Sequence, residues 1–308
     1  MKKINILATP QYFSSANFKD NKIFKKFNKY NLTIKKGPIN NKSKLKNLLK
    51  NQQVFIVGSE KLSKDLIASA NKLNLIVRFG TSVNNIDLFA CKKKKIKVKS
   101  LPKQINSLSV ARHTLGFLLN ITNNFHKFKV DIKNNKWKRF INLSPENLRI
   151  GTIGMGSIGK NFSKYAYKLG FKINYYSRSK KRGFKNFIHY NTIRNLVKKS
   201  DIISLHLPLN NNTKKIFNKE ILMLLKKKFL INTSRGELVD EKNLYNLLKK
   251  KYISGAALDV FEHEPPKSYS LKLRKLSNVI STSHNAAYDE ITLEKMTKTI
   301  LSLIKKFI

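Results

Sequence analysis

The sequence predicts an α/β protein with two domains built on parallel sheets. Short apolar runs alternate with lysine-rich helical patterns along most of its 308 residues. A strand, a glycine loop and a helix follow one another near the middle, and several later apolar runs stop abruptly at polar or reactive side chains. A chain of this length exceeds one hydrophobic core of ordinary size, so two domains, or one domain interrupted by another, is the expected organisation.

The first β-like run, Ile4 to Ala8, follows two lysines and ends before Pro10; it is too short for a signal-peptide core and reads as a strand. Further runs at Leu32 to Ile34, Val54 to Val57, Leu75 to Val77 and Ile96 to Val98 alternate with helical patterns such as Ser43 to Lys50 and Ser63 to Lys72. Leu101-Pro102 marks the crossing into a second region. There a longer helical pattern runs through Val110, Leu115, Leu118 and Leu119, and a new βα series begins at Leu148. The last helical pattern, from about Tyr288 to Ile308, is expected to return to the first domain. The expected division is residues 1–100 with 286–308 for one domain and 101–285 for the other.

None of the apolar runs is long enough to cross a bilayer. The single cysteine, Cys91, excludes an internal disulfide, fits a reducing, cytoplasmic setting and reads as a buried thiol. The formal charge of +46 invites a nucleic-acid reading. Only nine of the 63 basic residues are arginine, however, and lysine and asparagine are spread through every segment. Bidentate phosphate and base recognition favours arginine, so the charge reads as a chain-wide compositional bias with weak attraction to anions, and no specific nucleic-acid partner is expected.

Leu148 to Ile153 reads as a buried strand and runs into Gly154-Met155-Gly156-Ser157-Ile158-Gly159, followed by a helical pattern from Lys160 to Leu169. In that order the glycines allow a tight turn and close backbone approach, so a pyrophosphate can sit against the amides and positive end of a helix. The context makes a dinucleotide site the preferred reading over a structural glycine turn. The next strand, Lys172 to Tyr176, ends in Ser177 and Arg178 where an acidic residue would accept the adenosine ribose hydroxyls. The expected cofactor is NAD or NADP, and a small hydroxyl followed by arginine leans toward the 2′-phosphate of NADP. In a chain this rich in lysine, composition alone also produces such a cluster.

Asp201 to Leu205 leads to His206, Phe229 to Ile231 leads to Asn232-Thr233-Ser234-Arg235-Gly236, Ala256 to Leu258 leads to Asp259 and Glu264, and Val279-Ile280 leads to His284. Strands of an open parallel sheet present ligands at their carboxyl ends, so these residues are expected to converge. Arg235 can hold a planar carboxylate through two parallel hydrogen bonds. His284 is the expected proton acceptor for a hydroxyl whose carbon loses hydride, and Glu264 on its other ring nitrogen would orient it and favour its protonated form. On residues alone Arg235 also reads as an ion-pair partner of Asp240 or Glu237, and His206 reads equally as a packed loop residue or a cofactor neighbour. His263, between two glutamates that point different ways, reads as a surface histidine, and no metal site is expected.

At these residues the sequence resembles the D-isomer-specific 2-hydroxyacid dehydrogenases, which include phosphoglycerate dehydrogenase and the glyoxylate/hydroxypyruvate reductases. The likeness rests on Arg78-Phe79-Gly80-Thr81-Ser82-Val83-Asn84-Asn85-Ile86-Asp87, the glycine loop, Ser200 to Leu209, Ile231 to Asp240 and Gly255 to Pro265, in family order and spacing. It implies a Rossmann-type doubly wound cofactor domain inserted into a flavodoxin-like substrate domain, and a homodimer formed largely through the cofactor domains. The family's Arg, Glu and His fall on Arg235, Glu264 and His284. Its cofactor contacts fall on Ser157, Ile158, Ser177, Thr233 and Asp259. The loop carrying Arg78, Gly80, Thr81 and Ser82 would meet the substrate carboxylate, with Arg78 able to approach a substrate phosphate.

The chain departs from the family at Ser82 (usually glycine), Asn84 (aspartate), Arg112 (glutamate) and Ser283 (proline), and Gly58 replaces the arginine of some phosphoglycerate enzymes. None of these removes a catalytic group. The expected activity is hydride transfer between a nicotinamide and C2 of a small anionic 2-hydroxy or 2-keto acid, of the 3-phosphoglycerate, glycerate/hydroxypyruvate or glyoxylate type. The competing class is a catalytically idle dinucleotide-sensing protein or corepressor on the same fold. The intact Arg, Glu and His set argues against it.

Overall fold

The computed structural model describes residues 3–15, 18 and 22–307. The chain forms two compact units, one of residues up to Ile105 together with those from Asp289 on, the other of Asn106–Tyr288.

The first unit is built on a parallel sheet of β1 (Asn5–Ala8), β2 (Asn31–Ile34), β3 (Val54–Val57), β4 (Leu75–Arg78) and β5 (Lys97–Ser100), in the order β2-β1-β3-β4-β5. This is the flavodoxin order, with its reversal between β1 and β3. Val54-Phe55-Ile56-Val57 is buried throughout, as a central parallel strand covered on both faces must be, whereas edge strand β5 alternates exposed lysine with smaller, half-buried side chains. One face packs Leu45, Leu49, Leu66, Ile67 and Cys91 from the short helices Lys42–Leu49, Lys64–Ser69 and Leu88–Lys93. The other packs Phe13, Phe18 and Phe27 with Leu293, Met296, Ile300 and Ile304 of the helix Glu290–Lys305. Leu101 is buried in this core, and its amide bonds Gly80 O. The expected Ser63 to Lys72 helix is shorter, because Ala70 leaves helical geometry at ψ 79° and Asn74 N turns to Gln53 O.

The second unit holds seven parallel strands in the order β12-β11-β10-β9-β6-β7-β8: β6 (Arg149–Ile153), β7 (Lys172–Tyr176), β8 (Ile188–Tyr190), β9 (Ile202–Leu205), β10 (Phe229–Asn232), β11 (Gly255–Leu258) and β12 (Val279–Ser281). The chain winds outward from β6 through β7 to β8, then returns to β9 on the other side, so the Rossmann reversal lies between β6 and β9. Phe117, Leu118, Phe162 and Ala166 of the helices Ser107–Thr122 and Ser157–Lys168 cover one face. Leu196, Leu222, Leu244, Leu248 and Leu273 cover the other. No helix among the described residues is long and apolar enough to cross a membrane.

Candidate active site

The glycine loop stands at the reversal. Gly154 has φ +101°, and a Cβ there would lie 2.5 Å from His206 O, so neither backbone nor space admits a side chain. A Cβ at Gly159 would lie 2.0 Å from Gly154 O, which presses the helix Ser157–Lys168 onto the loop. Gly156, extended at φ −75° and preceding that helix, would meet nothing within 4 Å. The first glycine makes the turn, the third packs the helix, and the second leaves the amide end open. No acidic side chain occupies the helix's first turn, so the amides of Ser157, Ile158 and Gly159 are free of a competing anion from that turn. This cradle fits a dinucleotide pyrophosphate.

At the end of β7, Ser177 Oγ donates to Ser179 O (2.7 Å), and Lys181 N donates to Tyr175 Oη (3.0 Å). These bonds fold residues 177–181 into a turn with Arg178 and Lys180 exposed. His206 follows β9. Its ring lies against Phe162, its Nε2 shares a hydrogen bond with Ser204 Oγ (2.9 Å), its Nδ1 is buried without a partner, and burial pulls its pKa down to about 3.

The turn after β10 is tied by Ser234 N to Asn232 Oδ1 (3.0 Å), Asn232 Nδ2 to Arg235 O (2.9 Å) and Ser234 Oγ to Leu205 O (2.7 Å). Arg235 donates Nη1 to Ser234 O at 2.6 Å, and no acidic side chain among the described residues pairs with it. Asp240, its possible partner in the sequence, instead caps the helix Glu241–Lys249. Gly236 rests directly on the next loop, since a Cβ there would lie 1.9 Å from the carbonyl carbon of Phe261 and 2.2 Å from Glu262 N.

Glu264 and His284 meet on that side of the unit: Glu264 Oε2 lies 2.7 Å from His284 Nδ1, and Glu264 Oε1 accepts from Phe261 N at 3.1 Å. With Nδ1 bonded to a carboxylate, Nε2 is the nitrogen left for a substrate. His284 sits in the left-handed region at φ 54°, an unfavourable place for a side chain with a Cβ. Asp259, wholly buried, holds it there: its carbonyl accepts from His284 N (2.8 Å), Oδ1 from Asn285 N (2.7 Å) and Thr282 Oγ1, and Oδ2 from Ala286 N (3.0 Å).

The structure therefore brings together Glu264, His284 and, through Gly236, the turn of Arg235. Thr233 is buried against Thr114, their hydroxyls 2.9 Å apart. His263 is exposed, with Glu262 turned toward Lys215 and Glu264 toward His284. Arg78, Gly80, Thr81 and Ser82 belong to the first unit. There Arg78 Nη1 donates to Phe79 O (2.6 Å), Nε donates to Asn85 Oδ1 (3.3 Å), and the guanidinium fills the space beside Gly80. The sequence reading named Asp259 only as a cofactor contact and not as the support beneath the His284 turn, and it missed His113 beside Thr282 (3.1 Å) and Glu241 with Ser270 beneath the Glu264 loop. Only Gly236, a glycine directly after Arg235 in the sequence, offered a local signal.

The profile of the NAD-binding domain of D-isomer-specific 2-hydroxyacid dehydrogenases matches residues 115–286. The chain belongs to the D-isomer-specific 2-hydroxyacid dehydrogenase family. It is 36% identical over 272 residues to D-3-phosphoglycerate dehydrogenase of Methanocaldococcus jannaschii, covering 86% of this chain and 51% of that one, so it spans about half the length of that relative. It is 34% identical over 270 residues to hydroxypyruvate reductase of Thermotoga maritima, covering 86% of this chain and 87% of the relative. Among solved structures, D-lactate dehydrogenase from Aquifex aeolicus, complexed with NAD and lactic acid, superposes with a TM-score of 0.82 at 29% identity over 98% of this chain and 95% of that one. The family is one of NAD-linked oxidoreductases of hydroxy acids, and the glycine cradle belongs to its cofactor domain.

Proposed function

We propose that this chain is an NAD(P)-dependent 2-keto acid reductase and D-2-hydroxyacid dehydrogenase, and the observation that carries the proposal is the 2.7 Å pairing of His284 with Glu264. The bound nicotinamide would supply the redox chemistry, giving or taking hydride at C2 of the substrate. Arg235 binds the substrate carboxylate and polarises the neighbouring carbonyl with donors that Ser234 O does not use. His284 Nε2 delivers a proton to the oxygen as a keto acid is reduced and removes it in the reverse direction. Glu264 fixes the imidazole by its other nitrogen.

In this reading Gly154, Gly156, Ser157, Ile158 and Gly159 hold the pyrophosphate, and Ser177 and Arg178 face the adenosine ribose. NADP is the preferred form: the β7 turn exposes Arg178 and Lys180 and carries no carboxylate. Thr233 and Asp259 line the nicotinamide side and the loop of Arg78, Gly80, Thr81 and Ser82 recognises the substrate, both by resemblance to the family. The favoured substrates are unphosphorylated, of the glyoxylate or hydroxypyruvate type, because Gly58 offers no cation and the guanidinium of Arg78 is engaged by Phe79 O and Asn85. The enzyme works in the cytoplasm as a homodimer. Support for the dimer comes from Trp137 and Ile141, 88% and 93% exposed on the cofactor unit near exposed Phe125, Val130 and Ile132. Trp137→Glu should lower the sedimentation coefficient to that of a monomer.

Steady-state assays of glyoxylate, hydroxypyruvate, pyruvate and 3-phosphohydroxypyruvate, each with NADH and NADPH, test the whole reading. The fastest turnover is expected for glyoxylate or hydroxypyruvate with NADPH. No turnover of any acid, with tight cofactor binding retained, would leave a dinucleotide-sensing protein.

A further inference from the structure

We infer that Glu241 is a positioning residue for the acid–base pair: together with Ser270 it clamps the backbone of the loop on which Glu264 stands. The inference rests on the reading of Glu264 and His284 as the working pair.

Glu241 begins the helix Glu241–Lys249 and is 4% exposed, while Ser270 is fully buried. Glu241 Oε1 accepts from Glu262 N at 2.8 Å, and Oε2 accepts from Ser270 Oγ at 2.5 Å. Ser270 Oγ in turn accepts from His263 N at 3.4 Å. Phe261 N donates to Glu264 itself. The three consecutive amides before Glu264 are thus all taken by side-chain oxygens, two of them through the clamp. The Phe261–Glu262 peptide is also packed directly against Gly236, a second constraint on the same loop.

Helix stability does not account for burying this carboxylate. Asp240 already caps the helix by accepting from Asn243 N, and a glutamate in the first turn would favour the dipole equally well from solvent. Taking a carboxylate out of water costs several kcal/mol unless its partners compensate. Burial pushes the Glu241 carboxyl up, and the nearby charge of Glu262 adds to that. Ser270, the Glu262 amide and His263 act against it. The compensation is spent on the loop of Glu264, the side chain whose placement sets the direction of the His284 ring. A misplacement of about 1 Å in such a group costs about 10²-fold in rate.

The test uses the full chain with a 2-keto acid that it reduces, and compares Glu241→Ala, Glu241→Gln, Ser270→Ala, Glu264→Gln and the double variant Glu241→Ala/Glu264→Gln. Turnover, KM, cofactor affinity by fluorescence quenching and thermal midpoint are read for each. Glu264→Gln is expected to lower kcat about 10²-fold. Glu241→Ala should lower kcat about 10-fold or more with KM and cofactor affinity within about twofold, as for a defect in the chemical step. Glu241→Gln should recover most of that loss, because its amide oxygen still accepts from Glu262 N and its amide nitrogen reaches Ser270. If Glu241 acts through Glu264, the double variant falls no further than Glu264→Gln alone. A full multiplication of the two losses, or wild-type turnover in Glu241→Ala beside a crippled Glu264→Gln, overturns the inference. Wild-type turnover in Glu264→Gln overturns the underlying reading of the pair instead. Should Glu241→Ala not fold, Ser270→Ala alone and combined with Glu264→Gln gives the same comparison through a smaller change.

Discussion

Gly236 and Phe261 stand in backbone contact: a Cβ on the glycine would lie 1.9 Å from the carbonyl carbon of Phe261. The turn that aims Arg235 therefore rides on the loop that carries Glu264, with no side chain between them. Gly236→Ala must push the two loops apart. It should destabilise the cofactor unit by about 3 kcal/mol and abolish most turnover. Urea unfolding with parallel kinetics checks this, and a variant with unchanged stability and rate would mean that the contact is not maintained in solution.

His284→Ala is expected to lose about 10³-fold in kcat while binding cofactor as tightly as the wild type, because in the proposed function the imidazole moves a proton and does not hold the dinucleotide. Arg235→Ala would remove the charge-assisted bonds proposed to hold the substrate, so KM should rise and kcat fall, for a combined loss in kcat/KM of about 10²-fold or more. Initial-rate kinetics separate the two patterns. Near-normal turnover in either variant would require a new assignment.

The glycines of the loop are predicted to fail differently. Gly154→Ala meets both a φ of +101° and the carbonyl of His206, and should destabilise the fold by about 2 kcal/mol or more. Gly156→Ala has an ordinary φ and empty space around the new methyl, so the thermal midpoint should scarcely move. That methyl would stand at the open amide end, and cofactor affinity should drop about tenfold, which is about 1.4 kcal/mol. Calorimetry without and with cofactor distinguishes the cases; a cofactor affinity unchanged in Gly156→Ala would move the pyrophosphate elsewhere.

Acid stability carries a signature of His206. Burial lowers its pKa from 6.5 to about 3 in the folded chain. Between those values the unfolded chain takes up a proton that the folded chain does not, so stability rises with pH across the window and is lost as pH falls below 6.5. In the upper part of the window, above the range where ordinary carboxylates titrate, His206 contributes together with His126, whose pKa burial also lowers, so the His206 share is read as the difference between wild type and variant. The urea midpoint of the wild type should decline between pH 6.5 and 5, and His206→Gln should flatten that decline. Identical slopes would show that another group is responsible.

The proposed preference for NADP rests on the turn after β7. Ser177→Asp places a carboxylate where the ribose hydroxyls of NAD would bond it and where a 2′-phosphate would be repelled. The ratio of kcat/KM for NADPH over NADH should fall at least tenfold, and Arg178→Ala should lower the same ratio by reducing affinity for NADPH alone. A ratio insensitive to both would make the basic turn a product of composition.

The sequence by itself determined what lies in adjacent residues: the period-2 and helical rhythms that read as α/β, the strand-glycine-helix cradle from Leu148 to Leu169, and the polar residues that end each strand. Backbone geometry of that kind is encoded locally, since a glycine acts on its own φ and a buried parallel strand is apolar along its own length. Composition offered no way to choose between Arg235 as a substrate clamp and as a partner of Asp240; in the structure Asp240 caps the helix Glu241–Lys249 and does not pair with Arg235, which leaves the clamp as the proposal. The structure also packed the His206 ring against Phe162, where the sequence had left a loop residue or a cofactor neighbour open. Only tertiary structure brought His284 onto Glu264, Asp259 beneath Asn285 and Ala286, and Glu241 onto Glu262 and Ser270. These partners come from different strands and loops, and their distances are set by the register of β10, β11 and β12 and by the contact at Gly236. No residue carries that register in its own identity, because it emerges from how the whole sheet packs.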